Sequence, residues 1–177
     1  MNDQLKDDPR YINHESRPDL AGEHPQGDRY QLYAFLLFSA AVLIDHFLIG
    51  WAARFRSDVP FGIRLPTALM IILFGLFLSL SGIHTVFSEY TEQPRMISTG
   101  LFSFVRHPVY LGALLVYIGM LVFLLAPLAL VVFIAVFFLY DWLALDEETR
   151  MLKVFGQRYE DYRHQTPKWL PRLFRRN

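Results

Sequence analysis

The sequence predicts an all-α integral membrane protein with about four transmembrane helices, the last two a tight hairpin, followed by a C-terminal amphipathic interfacial helix. Three observations lead there. Hydrophobic residues make up 53% of the chain and aromatic residues 16%, while the charges gather mostly at its two ends, which no soluble core requires. Four apolar stretches follow one another from Tyr30 onwards. The last two are flanked by polar clusters, Arg106-His107 before them and Asp146-Glu147-Glu148 after them.

Residues 1–29 carry seven acids, four bases and three prolines without an apolar run, so a solvated, flexible tail is expected. A signal peptide would instead run from a basic start straight into an apolar stretch. Residues 30–177 read as one membrane domain. Its first two apolar stretches, 30–51 and 65–87, supply the roughly 20 residues that a helix needs to cross about 30 Å of hydrocarbon. The next two, 108–125 and 128–145, are shorter and joined only by Ala126-Pro127. Two residues carry the chain little way into water, so a tight helical hairpin is expected. Gly75 with Ser79, and Gly112 with Gly119, offer small faces for close helix packing.

Beyond the hairpin, Met151, Leu152, Phe155, Tyr159 and Tyr162 recur mainly at three- and four-residue steps among Arg150, Lys153, Arg158, Glu160, Asp161 and Arg163. This pattern predicts an amphipathic helix over about 146–165, lying at the membrane surface. Thr166-Pro167 ends it, and Lys168-Trp169-Leu170-Pro171-Arg172 reads as an interface anchor.

Lys and Arg number four in the tail, three between the first two spans, two between Ser88 and His107, and eight after Leu145. Four crossings put 14 of these 17 on one side, which the positive-inside rule makes cytoplasmic, with both termini and both flanking clusters. Arg54, Arg56 and Arg64 stand against this on the other side. The 17 acids balance the 17 bases, so nothing suggests a nucleic-acid partner. Cysteine is absent, which excludes disulfides, thiolate metal sites and a cysteine nucleophile, and no metal site is expected. Asp45-His46, His84 and Asp141 are ionisable residues inside apolar stretches, with packing or interfacial solvation as their leading reading.

Arg106-His107-Pro108-Val109-Tyr110-Leu111-Gly112 stands where a polar loop enters an apolar helix, and Asp146-Glu147-Glu148 where an apolar helix ends. A hairpin returns both to one water interface, where a polar cofactor can meet a lipid-borne substrate. Taken alone, the acidic pair is also readable as favourable charge at a helix N-terminus, and Arg106-His107 as side chains reaching for lipid phosphate.

Thr99-Gly100-Leu101-Phe102-Ser103-Phe104-Val105 with the RHPVYLG stretch resembles the isoprenylcysteine carboxyl methyltransferases and the phospholipid methyltransferase-like membrane enzymes. Glu147-Glu148, Met151, Phe155-Gly156, Tyr159, Tyr162 and Pro167 follow the first family's EExxLxxxFGxxYxxYxxxxP pattern, with Met for Leu. The resemblance covers about Pro94 to Pro171. It implies a membrane methyltransferase that uses S-adenosyl-L-methionine without a Rossmann domain, in agreement with the absent glycine-rich phosphate loop. By position it implies cofactor contacts at Met96, Ile97, His107, Pro108, Tyr110 and Glu147, with Glu147, Glu148 and Arg106 at the chemistry. The implied partners are the lipid bilayer and a lipophilic, membrane-borne acceptor, as in isoprenylcysteine carboxyl O-methylation. Leu143 stands where the eukaryotic members carry an Arg thought to serve the substrate carboxylate, Phe102 where they carry Tyr, and Pro94 where they carry His. The acceptor is therefore left open. Phospholipid N-methylation is the near alternative, and an NADPH-dependent sterol-type reductase or a non-catalytic membrane scaffold the distant ones.

Overall fold

The computed structural model describes residues 20, 22–88 and 93–171, so the expected flexible tail, apart from its last residues, and Arg172 of the expected anchor lie outside the described residues. The described secondary structure is helical. In order it comprises α1 (Gly27–Ile44) with a π-helical turn (Asp45–Ile49), α2 (Trp51–Asp58), α3 (Phe61–Phe87), a 3-10 turn (Gly100–Ser103), α4 (Pro108–Leu124), α5 (Pro127–Phe155) and α6 (Gln157–Gln165). α1 with its π turn, α3 and α5 are each long and apolar enough to cross a membrane, whereas α4 is a shorter apolar helix of 17 residues. Large apolar side chains stand open along them, with Phe47 73%, Leu48 79% and Met70 67% exposed. Helices this apolar and this uncovered need hydrocarbon around them. The chain is an integral membrane protein.

One compact unit comprises Gln26–Ser79 and Tyr110–Trp142. Its packing depends on missing side chains. A Cβ at Gly112 would lie 2.4 Å from both the Gly75 carbonyl oxygen and Ser79 Oγ, and one at Gly119 would lie 2.5 Å from Ile72 Cγ1. α3 and α4 therefore touch backbone to backbone along the small faces expected from the sequence. Phe38, fully buried, meets Tyr117 edge to face at 4.9 Å between ring centroids, and Tyr140 packs the same way on Tyr110 at 5.4 Å.

Two charged residues of this unit, Arg64 and Asp45, serve the α4–α5 turn. Arg64 Nη1 donates to the Phe123 carbonyl at 2.6 Å, in the last turn of α4, and its Nε donates to the Val59 carbonyl at 3.0 Å. Asp45, fully buried, accepts from Leu128 N–H at 3.2 Å, in the first turn of α5, and from Ala52 N–H at 2.8 Å, in the first turn of α2. Helix ends leave carbonyls without partners at the C-terminus and N–H groups without partners at the N-terminus, and these ends favour cations and anions respectively. The turn is thus capped with the matching charge on each side. Gly50, at φ +74°, supplies the left-handed step between the π turn and α2.

The second unit comprises Met1–Pro25, Leu80–Val109 and Leu143–Asn177, in so far as these residues are described. Gly82 lets Val109 approach α3, since a Cβ there would lie 2.6 Å from Val109 Cγ2. Arg95 donates to the Val86 carbonyl in the last turn of α3. Tyr162 Oη donates to the Phe102 carbonyl at 2.6 Å, tying α6 to the 3-10 turn. Gly22 lies against Met151, and His24 Nε2 is 3.9 Å from Asp146 Oδ2, so the end of the expected tail is packed.

Several boundaries differ from expectation. Residues 146–165 do not form one separate helix: α5 continues through Asp146 to Phe155, and the break comes at Gly156, φ +51°, before α6. Hydropathy marks where lipid contact should end, but backbone hydrogen bonding continues until a glycine at positive φ breaks it. α2 lies mostly between the first two expected spans, α1 starts at Gly27 rather than Tyr30, and α3 at Phe61 rather than Leu65.

Candidate functional site

The RHP stretch and the acidic pair meet. His107 closes the loop before α4, whose first residue is the fully buried Pro108. Proline suits the first position of a helix, where no intrahelical partner awaits its missing N–H. Glu147 and Glu148 project from α5. His107 Nε2 donates to Glu148 Oε1 at 2.9 Å, and Glu147 Oε2 stands 3.6 Å from Nδ1. Arg106 Nη2 lies 3.3 Å from the same Glu148 Oε1, and its Nη1 reaches the Arg163 carbonyl at 3.4 Å. Two bases and two acids thus meet, His107 and Glu148 buried at 9% and 5% exposure and Arg106 and Glu147 half-buried beside them.

Charges this far from water persist only when they are paired. Burial by itself lowers the basicity of His107, but hydrogen bonding and charge from Glu147 and Glu148 outweigh it, and the imidazole's pKa rises above its ordinary 6.5. Burial foremost, aided by the Glu148 charge, also raises the phenols of Tyr159 and Tyr162, so both remain neutral hydroxyls around the cluster. Arg106 Nε is buried and has no hydrogen-bond acceptor among the described residues. A guanidinium N–H of this kind is a ready donor to an anionic oxygen.

The other expected site residues are placed differently. Met96 and Ile97 are half-buried on the irregular stretch before the 3-10 turn, in the same unit as the cluster. Tyr110 belongs to the other unit, where its ring packs on Tyr140. Leu143 is completely buried. Of the additional ionisable residues, Asp45 serves the α4–α5 turn, His46 Nδ1 lies 3.1 Å from Arg56 Nη2, His84 is exposed in the last turn of α3, and Asp141 is half-buried on α5. A group that the sequence reading missed is Thr166 to Trp169. The Pro167 carbonyl accepts the Arg106 N–H at 2.9 Å, and the Trp169 ring lies 6.0 Å from that of His107. The sequence signal was present, since Pro167 belongs to the motif, but tryptophan beside lysine was equally explained by a membrane interface.

The fold and this cluster define a class: a helical membrane protein carrying a polar cluster of His, Arg and two Glu, with the His and one Glu buried. Residues 61–158, more than half of the chain, match the family described as phospholipid methyltransferase. The chain belongs to that family. It is 29% identical to the protein-S-isoprenylcysteine O-methyltransferase of Mus musculus, over 59% of this chain and 40% of that protein. It is 30% identical to the methanethiol S-methyltransferase of Crocosphaera subtropica, over 76% of this chain and 48% of that protein. The chain therefore spans about half the length of these relatives or less. A solved structure of the eukaryotic intramembrane Ras methyltransferase, an isoprenylcysteine carboxyl methyltransferase, aligns with a TM-score of 0.54 at 22% identity, over 91% of this chain and 54% of that one. The fold is shared with that enzyme, and the resemblance read from the RHPVYLG stretch holds.

Proposed function

We propose that this protein transfers a methyl group from S-adenosyl-L-methionine to a lipophilic acceptor in the membrane, and that Arg106, His107, Glu147 and Glu148 form the polar end of the cofactor site. The observation that carries this reading is the charged quartet, with the buried His107 facing both glutamates and Arg106 holding a buried Nε–H without an acceptor among the described residues.

The residues present fit the cofactor chemically. Arg106 would donate to its carboxylate, Glu147 would accept from its ammonium or hydroxyl groups, and His107 would hold Glu147 and Glu148 in place. Met96, Ile97 and Pro108 would supply apolar contact to its flat ring. When bound, the cofactor supplies a methyl carbon already attached to a good leaving group. What is left to the protein is alignment and exclusion of water. Glu148 is committed to His107 and Arg106, so its contribution is to hold these two donors in place rather than to accept a proton from the acceptor. That arrangement suits an acceptor that needs no general base, and a carboxylate is already ionised at neutral pH. Isoprenylcysteine-type carboxyl O-methylation is therefore the leading reaction. Phospholipid N-methylation is the second, favoured by the family match.

The acceptor is tested by supplying S-adenosylmethionine with a labelled methyl group to native membranes and following the label. Alkali-labile label on a prenylated cysteine supports the leading reaction, and label in extracted phospholipid supports the second. Label in neither, with purified protein active on a small thiol, would replace both.

A further inference from the structure

The chain end after α6 is expected from sequence to be an interface anchor, yet its contacts run to the charged quartet. Thr166 is buried, at 4% exposure, and its N–H donates to the Tyr162 carbonyl at 2.9 Å. Pro167 has no N–H with which to continue α6, and its carbonyl receives the Arg106 N–H. Trp169 follows, its ring 6.0 Å from His107 and inclined at 43°, with Lys168 Nζ 5.5 Å from the indole centroid. Leu170, by contrast, is 76% exposed. Thr166 to Trp169 thus form a strap fixed to two consecutive residues of the RHP stretch, by backbone at Arg106 and by ring at His107.

Two carboxylates orient an imidazole through its nitrogens, but they leave it free to tilt about the line joining those contacts. A large ring alongside removes that freedom and excludes water from the ion pairs, which strengthens them. Indole is also the side chain best suited to lie beside a cation, and two stand within about 6 Å of it here, the Lys168 ammonium and the His107 ring when protonated.

We propose that Trp169 is a positioning residue that acts through His107, holding the imidazole in the orientation the two glutamates require, with Lys168 steadying the indole. This rests on the cofactor reading above and extends the site to a segment otherwise explained by membrane anchoring alone. Its consequence is that the chain end contributes to cofactor affinity.

The chain's three tryptophans make the test direct. In a Trp51→Phe, Trp142→Phe background, Trp169 is the sole indole. A protonated imidazole beside an indole quenches its emission, so His107→Asn should brighten Trp169. Calorimetric titration of the full chain with S-adenosylmethionine should show binding weakened about tenfold by Trp169→Leu and largely restored in Trp169→Phe, which keeps an aromatic ring. Emission unchanged by His107→Asn overturns the inference whether or not the cofactor binds, as does wild-type affinity in Trp169→Leu. A brightened indole in a protein that binds no S-adenosylmethionine overturns the functional reading while leaving the hold of Trp169 on His107 standing.

Discussion

His107 carries more of the site than any other residue, because each of its ring nitrogens faces a different glutamate and its ring lies beside Trp169. Its protonation is therefore linked to folding. The folded pKa lies above the ordinary 6.5, so His107 binds its proton more tightly in the native state than in the unfolded one. The stability this contributes is fully present below the unfolded value and is lost as pH rises through the folded one. In thermal melts of detergent-solubilised protein, the advantage of the wild type over His107→Gln should be largest in mildly acid buffer and shrink as pH is raised. A gap independent of pH, or one that widens, contradicts the pairing. The residues at the heart of this site were legible in sequence because charge beside an apolar helix is rare enough to notice. Trp169 was not, because an aromatic next to a lysine near a membrane already has a sufficient explanation.

At the scale of elements, two features hold the apolar unit together. The α3–α4 contact leaves no room at Gly112, so Gly112→Leu should destabilise the protein by at least about 1–3 kcal/mol, the usual cost of overpacking. A melting temperature equal to wild type would mean that these helices do not approach so closely. The α4–α5 turn depends on Asp45, whose carboxylate receives two backbone N–H groups. Asp45→Ala should cost about 1–3 kcal/mol for each N–H left without a partner in the apolar interior, read as a lowered melting temperature. Undiminished stability would show that water serves these groups. Hydropathy revealed the long helices and Ala126-Pro127 revealed the turn, but neither Asp45 nor Arg64 could be assigned to it from sequence. Their partners are backbone groups about 83 and 59 residues away, which carry no side-chain signature. The short polar α2 was missed because its eight residues are too few for a periodic pattern to stand out.

At the scale of the whole molecule the expectation is one of orientation, with both termini and the charged quartet on the cytoplasmic side. Arg64, one of the three basic residues counted on the other side, caps the end of α4 through the Phe123 carbonyl. The absence of native cysteine allows a clean test, because any thiol label reports an introduced site. In sealed right-side-out vesicles, Ser57→Cys should react with an impermeant maleimide directly, and Gln165→Cys only after permeabilisation. The reverse pattern would put the charged quartet outside the cell. The central claim, that this quartet is a cofactor site, is tested most directly by titrating the purified protein with S-adenosylmethionine in a calorimeter. Saturable binding in the wild type that is abolished in both His107→Ala and Glu147→Ala is the predicted result, and binding undiminished in both variants would contradict it.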